Sequence, residues 1–173
     1  LDLLTATDDE TAASLAVELD TLNGKRRQLQ SDGTDEAKSY VEADELATDK
    51  LLVVLGESWH LGIIGLLASG LAGKFHRPVV VCTGARDDGT YTGSARSIPG
   101  YDIGAGVNHC AEHLLSHGGH PGAAGLTLSA EKFEAFRVDL IAHANEHLAN
   151  ADLEPKLTVD LALCTEDICV RTV

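Results

Sequence analysis

The sequence predicts an α/β fold: a small mixed or parallel sheet with a βαβ unit and flanking helices, preceded by a long linker helix. Three observations predict it. Two short apolar runs, "LLVVLG" (51–56) and "RPVVVC" (77–82), have the length and bounding residues of buried strands. Between them, "HLGIIGLLASGLAGKF" carries apolar residues at helical spacing, with small residues that allow close packing. Ahead of them lies a long, mostly polar amphipathic stretch, which bridges domains more readily than it builds a core. Strand, helix and strand in succession imply parallel pairing and a right-handed crossover.

The elements follow in order. Thr7 and Glu10 form a capping box, and Asp8 and Asp9 suit the positive end of a helix. Ala12, Leu15, Ala16, Leu19 and Leu22 then repeat at helical spacing to about Asn23. The polar continuation reads as helix interrupted around Ser31–Thr34. After the βαβ unit, Asp87–Gly89 reads as a turn feeding an antiparallel strand. Residues 102–116 read as a helix with Ile103, Val107, Cys110 and Leu114 on one face. "HGGHPGAAG" reads as a loop and "GLTL" as a short strand. Ser129 caps a final helix that buries Phe133, Phe136, Leu140, Ala144 and Leu148. Pro155 breaks the chain, and "KLTVDLAL" alternates as a half-buried strand does.

The expected organisation is a helical linker (1–48), a central domain (49–150) and the truncated start of a further module (151–173). The chain begins at Leu1 and contains no Met, which points to a piece of a longer protein. No run of about 18 apolar residues is present, so a membrane span is not expected. The acidic start "LDLLTATDDE" is no secretory signal. Cys82, Cys110, Cys164 and Cys169 show neither CxxC nor zinc-type spacing, and read as reduced thiols of a cytoplasmic protein.

The net charge of −14 argues against nucleic-acid binding by the surface as a whole. Its distribution matters more. Residues 1–50 carry 5 basic and 13 acidic side chains, and residues 129–173 carry 4 and 9, whereas residues 51–128 carry 4 and 5. That near-neutral middle holds six of the eight histidines. An anion site belongs there, where repulsion is least.

Two motifs fit an anion. In "GSARS" (93–97), Ser94 and Arg96 point the same way on a strand, pairing a hydroxyl with a guanidinium. The alternative is an ordinary solvated arginine. In "HGGHPGAAG", Gly118 and Gly119 can adopt a backbone nest for an anion, with His120 as a further donor. The alternative is a helix C-cap followed by a turn. A P-loop is excluded, because no Lys-Ser/Thr follows. His109, His113 and His117 recur every four residues, a spacing that can bind zinc, but without a further ligand they read as a helix face. Trp59 and His60 follow a strand end, where α/β sheets bind ligands, although packing also explains Trp59. No nucleophile elbow, HExxH, Rossmann glycine signature or paired Asp-rich motif is present, so the chain is not expected to catalyse a reaction by itself.

"SWHLGIIGLLASGLAGKFHRPVVV", "GTYTGSARSIPGYDI" and "LLSHGGHPGAAGLTL" resemble, in order and spacing, the DHH-associated domain of the RecJ family of single-stranded-DNA-specific exonucleases, within the DHH phosphoesterase superfamily. "DDETAASLAVELDTLNGKRRQLQ" resembles that family's interdomain helix, and "PKLTVDLAL" the entry to its oligonucleotide-binding fold. The resemblance implies a nuclease active in DNA repair and recombination, cutting 5′ to 3′. Its manganese or magnesium would be bound by an N-terminal domain with an Asp-His-His motif that is not in this sequence. The present domain would hold single-stranded DNA across a groove from that domain and be inactive without it. Ser94, Arg96 and the adjoining Ser97 would bind terminal or scissile-region phosphate. Gly118, Gly119 and His120 would contact the phosphate beside the metals, with His120 stabilising charge, and Trp59 and His60 complete the expected substrate site. Gly70 stands where the family often has arginine. The alternatives are a phosphodiesterase for short oligonucleotides or cyclic dinucleotides, and a non-catalytic replication scaffold.

Overall fold

The computed structural model describes residues 1–43, 49–84, 89–155, 159–162 and 164. A one-turn helix, α1 (Asp2–Thr5), precedes α2 (Asp9–Ala43), a helix of 35 residues. The cap of α2 is one residue later than the sequence implies: the Asp8 carboxylate, not Thr7, accepts the Thr11 N–H at 2.8 Å. Nor is α2 interrupted at Ser31–Thr34. Thr34 folds its hydroxyl onto the Gln30 carbonyl at 2.6 Å, satisfying itself without breaking the ladder. Gly33 is buried there, and a Cβ on it would stand 3.2 Å from Leu67. The glycine lets α2 lie close on the helix that follows the first strand.

That strand is β1 (Leu52–Gly56), followed by α3 (Ile64–Phe75) and β2 (Val79–Thr83), which runs parallel to β1 as the βαβ reading requires. His76 closes α3 in the left-handed region at φ 51°. The antiparallel strand β3 (Thr90–Arg96) comes next, with Gly89 at φ 72° before it; Asp87 and Asp88 of the expected turn lie outside the described residues.

The chain then departs from the expected pattern. The helix read over 102–116 is only α4 (Ile103–His109), capped by Asp102 accepting the Ala105 N–H at 2.9 Å. A 3-10 turn (Ala111–His113) ends it, and the backbone from Leu115 is taken over by strand pairing, with the Leu115 N–H bonded to the Thr127 carbonyl at 2.8 Å. The stretch read as a loop is therefore a strand, β4 (Ser116–His120). It joins through Pro121 and Gly122 to β5 (Ala123–Ser129), longer than the expected "GLTL". Ser129 makes no side-chain cap; it enters a 3-10 turn (Ala130–Lys132) that feeds α5 (Phe133–His147). Val159 and Leu161 of the expected final strand are about 70% exposed and in no strand, and the remainder of that run lies mostly outside the described residues.

The sheet has the order β1-β2-β3-β5-β4. Strand alternation gives it two packed faces. On one, Val53, Val80, Cys82, Tyr91, Ala95, Leu126 and Leu128 pack under α4 and α5, with Phe136, Leu140 and Ala144 of α5 fully buried as its spacing predicts. On the other, Leu52, Val54, Val79 and Val81 pack under α3 and the end of α2, through Leu67, Ala68, Leu71, Ala37 and Val41. On that face α3 covers β2 and β3 and the end of α2 covers β1, while neither packs closely on β5 and β4, leaving an uncovered floor over those two strands. No described helix is long and apolar enough to cross a membrane.

Candidate nucleic-acid interface

The register lays three rows of residues running from β3, at the edge of α3, onto the uncovered floor of β5 and β4. Arg96, Ala123 and His120 form one, Ser94, Gly125 and Gly118 the next, and Thr92, Thr127 and Ser116 the third. Residues in register on antiparallel neighbours face the same side, so Arg96 and His120 point the same way, about 10 Å apart across two strand spacings. Successive rows are about 6.8 Å apart along the strands. Ser94 and Arg96 share one strand face, and His120 faces the same side from two strands away without converging on them.

Arg96 is half-buried and bends back along β3. Its Nη1 donates to Ser94 Oγ at 3.1 Å and to the Ala95 carbonyl at 2.8 Å. An added Cβ at Gly65, in the first turn of α3, would stand 3.1 Å from Arg96 Nη2 and 3.3 Å from Ser94 Oγ, so that glycine makes room for the guanidinium. Among the described residues no carboxylate pairs with Arg96, and its positive charge is left for a ligand. A cavity of about 330 Å³ runs along its stem, lined by Ser69, Gly73, His76 and Ser97; His120 does not line it. The two cationic groups thus share a face and a row, not an enclosed pocket.

His120 is exposed, and its Nδ1 accepts the Gly122 N–H at 3.1 Å. That bond fixes the lone pair on Nδ1, so the neutral ring presents Nε2–H outward as a donor. His60 repeats the arrangement, accepting the Gly62 N–H at 3.0 Å. Its loop lies at the Thr92 end of the face, because the Thr83 hydroxyl, in register with Thr92, donates to the carbonyls of Gly56 and Trp59.

The other expected residues differ in their availability. Gly118 and Gly119 do not form an anion nest; they lie in an extended strand and neither has positive φ. Gly118 is open on the uncovered floor, whereas a Cβ on Gly119 would stand 2.6 Å from Ala124 Cα. Ser97 spends its hydroxyl on the Tyr101 carbonyl at 2.7 Å and its N–H on the Gly122 carbonyl at 3.0 Å. Trp59 is only 6% exposed and packs under α2, its indole N–H donating to Glu36 Oε2 at 2.8 Å, so it presents no stacking surface. Gly65, Thr92, Ser116, Gly125 and Thr127 were not singled out from the sequence. Strand register places the four strand residues beside Ser94 and Arg96, and the packing of α3 on β3 brings Gly65 there.

The three histidines at four-residue spacing do not share a helix. His109 ends α4, where its ring lies 4.8 Å from that of His143; His113 Nε2 bonds Asp139 Oδ2 at 2.7 Å; His117 sits on β4. Glu112, His113 and Asp139 bring ligand-type atoms within 4.8 Å of one another, but the His113–Asp139 hydrogen bond already accounts for that approach. Among the described residues this face offers hydroxyls, a guanidinium, an imidazole and bare backbone, with no carboxylate. That donor set does not suit manganese or magnesium, whose protein ligands are chiefly carboxylates. Burial pushes the thiols of Cys82 and Cys110 up to about 12 and about 11, so neither supplies a thiolate nucleophile near neutral pH.

The profile of the DHHA1 domain family matches residues 48–146. The chain is 38% identical over 171 residues to the single-stranded-DNA-specific exonuclease RecJ of Bacillus subtilis (strain 168), covering 99% of this chain and 22% of that protein. It is 34% identical to the protein of the same name from Dickeya dadantii (strain 3937), covering 99% and 31%. Among solved structures, it superimposes on RecJ in complex with Mg2+ from Thermus thermophilus with a TM-score of 0.72 and 27% identity, covering 83% of this chain and 22% of the other. A manganese-bound exonuclease RecJ gives 0.75 and 25%, covering 88% and 38%. The chain spans less than a third of the curated relatives named here.

Proposed function

This chain belongs to the DHHA1 domain family, and on that premise we propose that it is the strand-holding domain of a RecJ-like 5′-to-3′ single-stranded-DNA exonuclease acting in DNA repair and recombination in the cytoplasm. In this reading residues 1–48 are the interdomain helix, 49–150 the substrate-binding domain and 151–173 the start of an oligonucleotide-binding module. Manganese or magnesium is held by a separate domain of the same protein that carries the Asp-His-His motif, and the present chain does not cut DNA without it.

One observation carries the reading: Arg96 and His120 occupy a single row on one sheet face, Arg96 with Ser94 beside it at the edge of α3 and His120 on the uncovered strands. Phosphate oxygens accept hydrogen bonds from Arg96, Ser94 and the outward Nε2–H of His120. Each charge-assisted bond contributes about 1.5–3 kcal/mol. The guanidinium, unpaired with any carboxylate among the described residues, needs no competing ion pair broken before it meets the strand. Gly118 lets the phosphate approach β4 closely, His60 stands at the far end of the face, and Trp59 acts by holding the His60 loop; Gly119 faces the packed side and takes no part.

The test is cleavage by the whole metal-containing exonuclease carrying this chain, with Arg96→Ala and His120→Ala. Each variant is expected to lose about 10- to 100-fold in kcat/KM, as removal of one or two charge-assisted bonds implies. Undiminished cleavage by both variants overturns the role. Equal rates on dinucleotides and long strands identify a small-oligonucleotide phosphodiesterase instead.

A further inference from the structure

The fold scatters His109, His113 and His117, but it assembles another histidine set on the far side of the sheet, where α4 and α5 cover the packed face. Residues 143–147, "HANEH", read His-x-x-Glu-His and end α5. Positions i, i+3 and i+4 of a helix share one face, so His143, Glu146 and His147 stand together. The same order of residues sets two imidazoles on a zinc ion, with a carboxylate beside them, in one class of zinc peptidases. His109, the last residue of α4, brings a third imidazole. Its ring lies 4.8 Å from that of His143, which stacks on His147 at 3.9 Å.

Hydrogen bonds already bias which nitrogen each ring of α5 presents. His147 Nδ1 lies 2.8 Å from the His143 carbonyl, which can only accept, so in the neutral ring the lone pair is on Nε2. His143 Nδ1 lies 2.9 Å from Tyr101 Oη, an oxygen that can accept in the same way. Metal-bound histidines characteristically give their other ring N–H to an oxygen of this sort, which fixes the ring and raises its basicity. The rings are gathered without yet converging, with only 20° between the planes of His143 and His147. Closing on one ion takes side-chain rotation at the exposed His109 and His147. His147 is also the last residue of α5, and the C-terminal end of a helix favours a cation.

Glu112, His113 and Asp139 make a rival cluster, and its proton bookkeeping disfavours it. His113 Nε2 is bonded to Asp139 at 2.7 Å, and His113 Nδ1 is buried without a partner. A cation on Nε2 would force the ring proton onto that buried Nδ1, where no acceptor meets it.

We propose that His109, His143 and His147 form a binding site for a late first-row divalent cation, zinc foremost, that pins the end of α4 to the end of α5. Imidazole ligands suit zinc, whereas manganese and magnesium take carboxylates and water. The site is therefore separate from the manganese or magnesium of the proposed metal domain. It is independent of the strand-holding role as well, lying on the other side of the sheet from Arg96 and His120. Glu146 adds negative charge beside the rings.

The experiment titrates the isotopically labelled 173-residue chain with zinc chloride at a pH where histidine is neutral, and follows the imidazoles by long-range nitrogen–proton NMR. Magnesium chloride is the comparison. Zinc is expected to move the rings of His109, His143 and His147, with Nε2 as the bound nitrogen, and to raise the melting temperature; magnesium is expected to move none of them. His109→Gln and His147→Gln alter exposed side chains, so both are expected to melt as the parent does without zinc and to bind zinc at least about 10-fold more weakly. Tyr101→Phe, which removes only the oxygen at His143 Nδ1, is expected to weaken zinc by about 10-fold. Zinc that moves His113 in preference assigns the cation to the rival cluster and overturns the site. So does zinc that moves none of the three rings, zinc that binds both glutamine variants as tightly as the parent, or magnesium that moves the same rings equally.

Discussion

Trp59 in the loop after β1 donates its indole N–H to Glu36 of α2, and Tyr40 donates its hydroxyl to the other oxygen of the same carboxylate at 2.9 Å. One side chain thus ties the long helix to the segment that carries His60. Removing the acceptor strands a nearly buried indole N–H. Glu36→Ala is expected to cost about 1–2 kcal/mol, and Glu36→Gln, which keeps an acceptor, about half of that. Trp59 is the chain's one tryptophan, so urea unfolding followed by its fluorescence reads both effects at the contact itself.

Arg96 is a second point of leverage. Its hydrogen bonds within the chain go to a serine hydroxyl and a neighbouring carbonyl, so Arg96→Ala is expected to unfold within about 0.5 kcal/mol of the parent, as a change that breaks no ion pair should. Binding to an oligothymidylate is expected to weaken, with the slope of log affinity against log salt falling by about 0.7, one phosphate contact on a single strand. Arg96→Lys is expected to keep that slope and still bind more weakly, since an ammonium cannot reproduce the guanidinium fork. An unchanged slope in the alanine variant places the ionic contact elsewhere.

Acid should loosen the α4–α5 side of the core. His143 stacks on His147 at 3.9 Å and faces His109 at 4.8 Å, while Tyr101 Oη lies 2.9 Å from its Nδ1. Burial first, then the two neighbouring imidazoles, hold its pKa below the usual histidine value, against an opposing pull from Glu146. A histidine that binds its proton less readily when folded contributes its full stability above about pH 6.5, and that contribution is lost as the pH falls below this value. The melting temperature is expected to drop between pH 7.5 and 5.5, and His143→Gln to flatten that drop. A variant with the parent's full pH slope would assign the effect to other groups.

The two adjacent glycines of β4 should separate cleanly. Gly119→Ala forces a Cβ against Ala124 and the Ala123 carbonyl, which are backbone and cannot step aside, and is expected to cost about 1–3 kcal/mol. Gly118→Ala meets nothing and is expected to leave stability within about 0.5 kcal/mol of the parent. Paired thermal melts decide this, and equal losses would mean the strand register differs from the one described.

Some of this architecture was legible in the sequence because its signals are local and repeated. The two valine-rich runs fix the parallel pair, and Phe133, Phe136, Leu140 and Ala144 declare the buried face of α5 through spacing alone. The failures have a common cause, which is pairing at a distance. "HGGH" has the composition of a loop, and it becomes a strand only because β5 supplies partners for its backbone. Cys110 and Leu114 continue the apolar spacing of α4 by coincidence, after the helix has ended. Ser94 and Arg96 were readable as a pair since they share a strand. Gly125 was not, because nothing in its own segment tells which glycine faces a packed side chain and which faces open space. Trp59 was misleading for the opposite reason: its place after a strand end is typical of ligand contacts, but a carboxylate 23 residues upstream claims its indole.

The seat of Gly33 on Leu67 has a mechanical corollary. A straight helix rises about 1.5 Å per residue, so the part of α2 before Gly33 is a lever of about 36 Å pivoting on that contact. A tilt of about 5° there would swing the far tip by about 3 Å. Whatever is fastened to that tip is therefore aimed by the fit of one hydrogen-sized side chain against a leucine. An alanine at position 33 would bring its Cβ to 3.2 Å from a Leu67 methyl, so the aim of the whole arm depends on whether that leucine yields or the helix tilts.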